Sequence, residues 1–367
     1  MKTKIKFILP YLIFVIAMLI SLFFSSSFET WLKLKPDLKN ISSTALEVHF
    51  VDVGQGDAIL IKNNNATMLI DSGPVSHQKQ LLNYIDNVFF KGSKNKTFNY
   101  VVLTHSDSDH SGNMLTILNN YNVETFFRPK IYVEGLELVD GNVLYDNSTV
   151  YAEIITKLNT LKSNNKTTVK YAEMGICFGL DDAEVNMLAP VNNYYLKTNN
   201  YSAVITVEKF GKKFMFTGDA DKTNETEIIN NNDVELLDVD VLKIAHHGSN
   251  DSTSLNFLNL TTPSYAVISV AENNSYNQPS SEVLNTISSY NFGANSTTKV
   301  MQTATCGNIL FYVNNENDIN YISIQSVFDY LFIGWWVIVV LIIATSTILF
   351  VSLILIKWLK LGKSAKL

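Results

Sequence analysis

Arginine is nearly missing from this sequence: Arg128 is the one example in 367 residues. The acidic residues, by contrast, are crowded. All 34 lie between Glu29 and Asp329, against 21 basic ones there, a formal charge of −13 for that region. So acidic and arginine-poor a region is not built for broad electrostatic capture of nucleic acid. Cysteine is scarce too. Cys177 and Cys306 stand far apart, and no cluster has zinc-finger spacing. Either the two pair in an oxidising compartment or they remain separate thiols, and the sequence leaves both open. Histidine occurs six times, and none lies between His110 and His246. No internal repeat is evident.

Long apolar runs are present at both ends. "FILPYLIFVIAMLISLFF" follows a tail, residues 1–6, that carries Lys2, Lys4 and Lys6. Residues 330–356 hold no charge and run into "KWLKLGKSAKL". A bilayer core takes about 20 apolar residues, so residues 7–26 and 330–356 each suffice for a transmembrane helix. A cleaved signal peptide is the competing reading of the first. Lysines outside both runs put both termini, 1–6 and 357–367, in the cytoplasm by the positive-inside rule. The expectation is a two-pass cell-membrane protein, in contact with the lipid bilayer, with residues 45–325 on the outer face.

That central region is rich in strand patterns. "ALEVHFVDVGQGDAILIKNNNATMLIDSG" reads as three short strands with Gly- and Asn-rich turns, and "NYVVLTH" as a buried strand. "SAVITVEKFGKKFMFTGDAD" alternates and turns at "FGKK", a hairpin. Helical patterns cover residues 78–90, 111–121 and 150–161, and Glu124–Glu134 looks like a strand. Strands come first as hairpins and then alternate with helices, which fits an α+β sandwich of two packed sheets with helices outside.

Three turns concentrate chemistry. "THSDSDH" places His105, Asp107, Asp109 and His110 directly behind a strand. Imidazole and carboxylate ligands suit Zn, Mn, Fe and similar ions. The competing reading is a solvated turn in which Asp109 caps the following helix. "FTGDAD" ends a strand with Asp219 and Asp221, and "LKIAHHGS" ends another with His246 and His247. Four of the six histidines fall in the first and third of these turns.

Taken in order, "FVDVGQGDAILI", "MLIDSG", "VVLTHSDSDHSGN", "FTGDAD" and "LKIAHHGS" resemble the metallo-β-lactamase fold. More narrowly they are similar to the hydrolase domain of ComEC/Rec2 competence proteins. The resemblance implies an αββα four-layer sandwich with a metal site at one edge. It assigns His105 and Asp107 to one metal, Asp109, His110 and His246 to the other, and Asp219 to both. Asp109 and His247 take catalytic roles, His247 as an alternative to His246 or as a proton donor behind it. Gln55 and Asp57 resemble residues at the mouth, and "NNYSAVI" fills the place of the family's middle histidine, with Asn200 or Ser202 in reach; the Ser249 hydroxyl is a candidate phosphate contact, with a plain turn as the equal alternative. Asp71 resembles an aspartate that braces the ligand loop. His49 and His77 match no ligand position.

Two departures matter. Asp107 stands where the broad family has a second histidine, which hardens the ligand set towards Mn or Mg over Zn. The absent middle histidine leaves the first metal short of protein ligands. One or two divalent ions are therefore expected, Mn or Zn, with Mg a further candidate. The implied activity is a membrane-anchored phosphodiesterase or nuclease acting on DNA during uptake, with a separate channel protein as a partner, since two spans form no pore alone. A hydrolase of another surface phosphodiester, such as phosphocholine or a wall polymer, is the nearest rival. A metal-free scaffold for a membrane partner is the third reading.

Overall fold

The computed structural model describes residues 41–137, 141–294, 297–316 and 318–324. Ile41–Gln325 forms one compact unit. Among the described residues no helix is long and apolar enough to cross a membrane. The expected spans, residues 7–26 and 330–356, lie outside the described residues. The two-pass membrane placement is corrected accordingly: the described helices are short, and their apolar faces are spent on the protein's own sheets.

Two large sheets face each other. One has eight strands, in spatial order Ile319–Ile324, Asn308–Val313, Leu46–Phe50, Ile59–Asn63, Ala66–Ile70, Thr97–Val102, Asn122–Arg128 and Thr168–Tyr171. The other has seven: Lys299–Gln302, Tyr265–Ile268, Val241–Lys243, Lys212–Phe216, Val204–Lys209, Ala183–Ala189 and Cys177–Leu180. Side chains alternate between faces of a strand, and this sequence uses both. Val241 and Val267 point between the sheets with Phe50, Ile61, Ile205 and Phe311. Leu242, Ala266 and Ile268 point outward, under Ile228, Phe257, Leu258, Val283 and Ile287. Those residues come from helices Lys222–Asn231, Leu255–Thr261 and Ser281–Ala294. Helices Gln78–Tyr84, Met114–Asn120 and Thr149–Ser163 belong to the other sheet's half of the chain and bury Leu81, Ile117 and Ile154. Each large buried apolar side chain contributes about 1.5–3 kcal/mol.

The strand expected over Glu124–Glu134 stops at Arg128, because Pro129 has no N–H to give the ladder. Ile131–Tyr132 instead pairs with Leu144–Tyr145 in a small sheet of its own. Strands Thr168–Tyr171, Cys177–Leu180 and Ala183–Ala189 lay outside the sequence reading. Both cysteines are free thiols.

Topology fixes the site. Ala66–Ile70, Thr97–Val102 and Asn122–Arg128 run parallel in one sheet. Lys212–Phe216, Val241–Lys243 and Tyr265–Ile268 run parallel in the other. Ligands in parallel sheets gather outside the carboxyl ends of the strands. Asp71, His105, Asp219 and the two adjacent histidines all lie just past such ends.

Candidate metal centre

Asp71 follows its strand with a left-handed backbone, φ 56°, which an aspartate tolerates better than most residues. This turns its carboxylate across to the next strand's exit. Its Oδ1 accepts the Thr104 backbone N–H at 2.8 Å, and its Oδ2 accepts the Thr104 hydroxyl at 2.7 Å. The same Oδ2 lies 2.7 Å from His110 Nδ1. Because a carboxylate only accepts, His110 carries its proton on Nδ1, and Nε2 faces inward.

His105 is fully buried. Its Nδ1 lies 3.0 Å from the Thr104 hydroxyl, whose own proton is committed to Asp71, so Nδ1–H donates there. His105 Nε2 is then left without any hydrogen-bond partner. Asp107 is the N-cap of the short helix Ser108–Ser111 but makes no side-chain cap bond, and Asp109 lies inside that helix. The capping alternative for Asp109 is not the arrangement adopted.

From the facing sheet, Asp219 presents a buried carboxylate, its N–H held by the Ser202 hydroxyl at 3.0 Å. His246 and His247 both take left-handed backbone, φ 48° and 52°. Their rings consequently splay, with centroids 6.3 Å apart. His247 Nδ1 lies 2.8 Å from the Ser269 carbonyl, an acceptor only, so its Nε2 also faces inward.

Four donors converge. Asp109, His110, Asp219 and His247 each offer an atom within 4.8 Å of the others. His110 Nε2 is 3.1 Å from Asp219 Oδ1, His247 Nε2 is 3.2 Å from Asp109 Oδ2, and the two Nε2 atoms are 3.3 Å apart. With both Nδ1 protons fixed elsewhere, two neutral imidazoles and two carboxylates would point lone pairs at lone pairs. That arrangement is repulsive unless a proton or a cation lies among them. These residues therefore fit a divalent cation held by two imidazoles and two carboxylates. The opposite side of Asp219 holds further donors. Its Oδ2 is 3.7 Å from His105 Nε2 and 3.8 Å from His246 Nε2, and Asp107 Oδ2 is 3.8 Å from His105 Nε2.

The charge states follow the same geometry. Burial opposes the charged form of His110, but Asp219 and Asp71 outweigh it and hold the ring protonated well above its usual range. Burial, helped by the charge of His110, depresses His105 to about 4. Asp219 would be raised by burial, yet His110 and His247 carry it well below the ordinary carboxylate range. Burial likewise opposes ionised Asp109, and its bond to His247 reverses the outcome and lowers it. Burial raises Asp107. At His246 burial is overcome by the Asp251 carboxylate, and the pKa rises.

Of the expected ligands, Asp109, His110 and Asp219 are brought together. His247, rather than His246, joins Asp109 and His110, while His246 stands on the His105 side. The residues expected at the substrate divide. Asp57 is buried, with its Oδ2 2.6 Å from Lys243 Nζ. Asn200 is buried against Asn224, and Ser202 supports Asp219. These three are buried beneath the site rather than presented at its mouth. Gln55 donates to Gln278 at 2.6 Å, and Gln278 donates to the His246 carbonyl at 3.1 Å. Ser249 remains partly exposed beside the histidines. His49 pairs with Tyr84, and His77 touches Ser76.

Sequence reading missed Lys243, Asp251 and Asn199. Lys243 is fully buried and also donates to the Gly218 carbonyl at 3.0 Å. A lysine in an otherwise apolar strand, two residues ahead of Ala245, was the available signal. Asp57, Asp71 and His110 form a second convergent group, and the Lys243 ammonium already supplies its cation.

"ComE operon protein 3" of Bacillus subtilis is 27% identical over 283 residues, covering 74% of this chain and 33% of that protein. "Recombination protein 2" of Haemophilus influenzae is 27% identical over 252 residues, 69% of this chain and 28% of that one. "Competence protein ComA" of Neisseria gonorrhoeae is 25% identical over 237 residues, 64% of this chain and 28% of that one. The chain spans about a third of the length of these relatives or less. The pattern of the Metallo-beta-lactamase superfamily matches residues 51–272. Two packed sheets, helices on their outer faces and donors converging past the strand ends accompany that match, and the chain belongs to the metallo-beta-lactamase superfamily, with the donor set of a metal-dependent hydrolase.

Proposed function

We propose that this chain is a metal-dependent phosphodiesterase that cleaves DNA, acting with the uptake machinery of competence. The observation that carries the hydrolytic part is the inward face of the site, where two imidazole Nε2 atoms and two carboxylates converge within 4.8 Å of one another, both Nδ1 atoms being bonded elsewhere. Asp109, His110, Asp219 and His247 would hold one divalent cation, with His105 and Asp107 on the far side of Asp219. Cations bound there would supply the charge that activates water and offsets the negative charge developing on a phosphate. Carboxylate-rich ligation favours Mn or Mg over Zn, and phosphate oxygens are hard ligands of the same preference. The DNA part is supported by the names of the relatives, which speak of competence and recombination.

The chain's own groups prepare the site. Asp71 locks the His110 tautomer, the Ser269 carbonyl locks His247, and Thr104 links Asp71 to His105. Such supporting contacts typically account for 10–100-fold in metal affinity. Lys243 balances Asp57 so that negative charge does not accumulate beneath the ligands. Asp107 and Asp109, partly exposed, mark the open side through which substrate arrives.

The formal charge of −13 favours one rival, a small phosphodiester in place of a polyanion. The experiment offers the full chain with Mn²⁺ a single-stranded oligonucleotide or bis(p-nitrophenyl) phosphate. The proposal expects scission of the oligonucleotide that chelation abolishes and Asp219→Asn reduces at least 100-fold. Turnover of the small ester alone would transfer the case to the rival. No turnover of either, with no metal retained, would support the scaffold reading.

A further inference from the structure

We infer that Tyr145, Tyr171 and Tyr194 form a platform on which the unpaired bases of a single-stranded nucleic acid stack, beside the metal donors. This rests on reading the chain as a DNA phosphodiesterase. It goes beyond that reading by assigning a binding surface and a preference for single strands.

Arg128, the one arginine of the chain, organises this surface. It ends strand Asn122–Arg128 and is buried, so its charge is not offered to a phosphate. Nη1 and Nη2 donate to the Glu137 carboxylate at 2.7 and 3.1 Å, and Nη2 also donates to the Ile131 carbonyl. The guanidinium carbon then lies 5.4 Å from the Tyr171 ring centroid and 5.6 Å from that of Tyr132, within cation–π range. The two rings stand 6.0 Å apart. Tyr145 is paired with Tyr132 across the small sheet, and paired residues point to one face. The Tyr151 hydroxyl, donating to the Ile131 carbonyl at 2.9 Å, ties that sheet to helix Thr149–Ser163. Tyr132 is buried and supports its neighbours. Tyr145 and Tyr171, 43% and 36% exposed, meet solvent on rings that are already held in place. Rings fixed beforehand lose little freedom on binding.

One loop joins the platform to the metal donors. Lys130 Nζ lies 5.9 Å from the Tyr171 centroid and donates to Asn193 Oδ1 at 2.5 Å. Tyr194 follows, 39% exposed. Lys197 Nζ, at an exposed position, is 3.5 Å from Asp221 Oδ2, and Asn199 Nδ2 is 3.4 Å from His246 Nε2. Asn193 and Asn199 are six positions apart, at most about 20 Å of chain. A strand stacked at about 3.4 Å per nucleotide covers that distance in roughly six nucleotides. The chemistry names the occupant. Glu173 neutralises Lys130 at 2.5 Å, and the whole region carries −13, so phosphate contacts supply little affinity. Stacking on aromatic rings must supply it, and every base has a face to offer. Bases in a duplex already stack on one another, so the platform selects unpaired strands.

The test compares two substrates of the full chain in Mn²⁺, a labelled single-stranded oligonucleotide and bis(p-nitrophenyl) phosphate. The readout is the ratio of their kcat/KM values. Tyr145→Ala, Tyr171→Ala and Tyr194→Ala are each expected to lower that ratio roughly 5–150-fold, the loss of one stacked base. Tyr171→Phe keeps the ring and should keep the ratio. An abasic strand of equal length should compete weakly with the oligonucleotide, and the matching duplex should be cut more slowly than the single strand. Thermal melts confirm that each variant is folded. An unchanged ratio in a folded chain carrying both Tyr145→Ala and Tyr171→Ala would overturn the inference and leave the proposed function standing. So would an abasic strand that competes as well as one with bases. Poly(glycerol phosphate) that competes as well as the oligonucleotide, and no longer does so in the double variant, would give the platform to the rival substrate and overturn the inference. A wild type that cuts no oligonucleotide would overturn both.

Discussion

Lys243→Met tests how the site is supported. Lys243 and Asp57 are both essentially inaccessible, with Nζ and Oδ2 2.6 Å apart. Asp57 Oδ1 already lacks a partner. Removing the ammonium leaves a buried carboxylate with nothing to balance it, and the Gly218 carbonyl loses a donor. Breaking one side of a buried pair costs about 3–5 kcal/mol. For a domain of this size, 1 kcal/mol moves Tm by about 2–4 °C, so the melt should fall by roughly 10 °C. The damage should reach the metal ligands, since Asp57 lies 3.9 Å from His110 Nδ1 and 3.7 Å from His247 Nδ1. Asp57→Asn added to Lys243→Met removes the stranded charge. The double variant should recover about 2 kcal/mol or more relative to the sum of the singles. Denaturant melts of the four proteins measure this coupling. A single-variant cost below about 1 kcal/mol, or additive singles, would refute the claim that Lys243 compensates Asp57.

Other expectations concern the same shell. Asp71→Asn cannot accept from Thr104 twice and from His110 as well, so it should cost about 1–3 kcal/mol in a melt and weaken Mn²⁺ binding 10–100-fold in a titration. A Cβ on Gly56, φ +145°, would stand 2.3 Å from the Asp109 carbonyl, so Gly56→Ala should displace Asp109 and lower metal affinity at least tenfold, read by calorimetry. The raised pKa of His110 makes metal uptake release a proton. Apparent affinity should therefore climb with pH, about tenfold per unit for each proton displaced, and titrations from pH 5.5 to 8 at roughly half-unit steps would show it. In the stripped protein the sign for stability is the reverse. His110, with its folded pKa raised, contributes stability that is fully present below about 6.5 and lost as pH rises through its folded value. Adding Mn²⁺ at 100 times its dissociation constant should restore about 2.7 kcal/mol, visible as a higher Tm.

Much of the site could be read from residue order alone, because its ligands sit in tight turns that each follow a strong strand signal. His105 through His110, Asp219 and the His246–His247 pair were found that way. What order could not supply was direction. Which of two adjacent histidines faces which side of Asp219 depends on φ values of 48° and 52°, a conformation that no side-chain pattern announces. The supporting residues were hidden for a related reason. Asp57 and Lys243 lie 186 positions apart and meet only when the sheets stack. Asn200 and Ser202 occupied the right place in the chain, but the Thr198–Tyr201 turn carries Asn199 towards His246 instead. The strands between Thr168 and Ala189 escaped notice because edge strands such as Thr168–Tyr171 and Cys177–Leu180 expose half or more of their residues.

Anomalous diffraction from crystals of the chain grown with Mn²⁺ tests the central claim most directly. The account predicts a peak bounded by Asp109, His110, Asp219 and His247, with both imidazoles bound through Nε2. Crystals at millimolar Mn²⁺ that show no peak there, with His110 Nε2 still directly against Asp219, would contradict it.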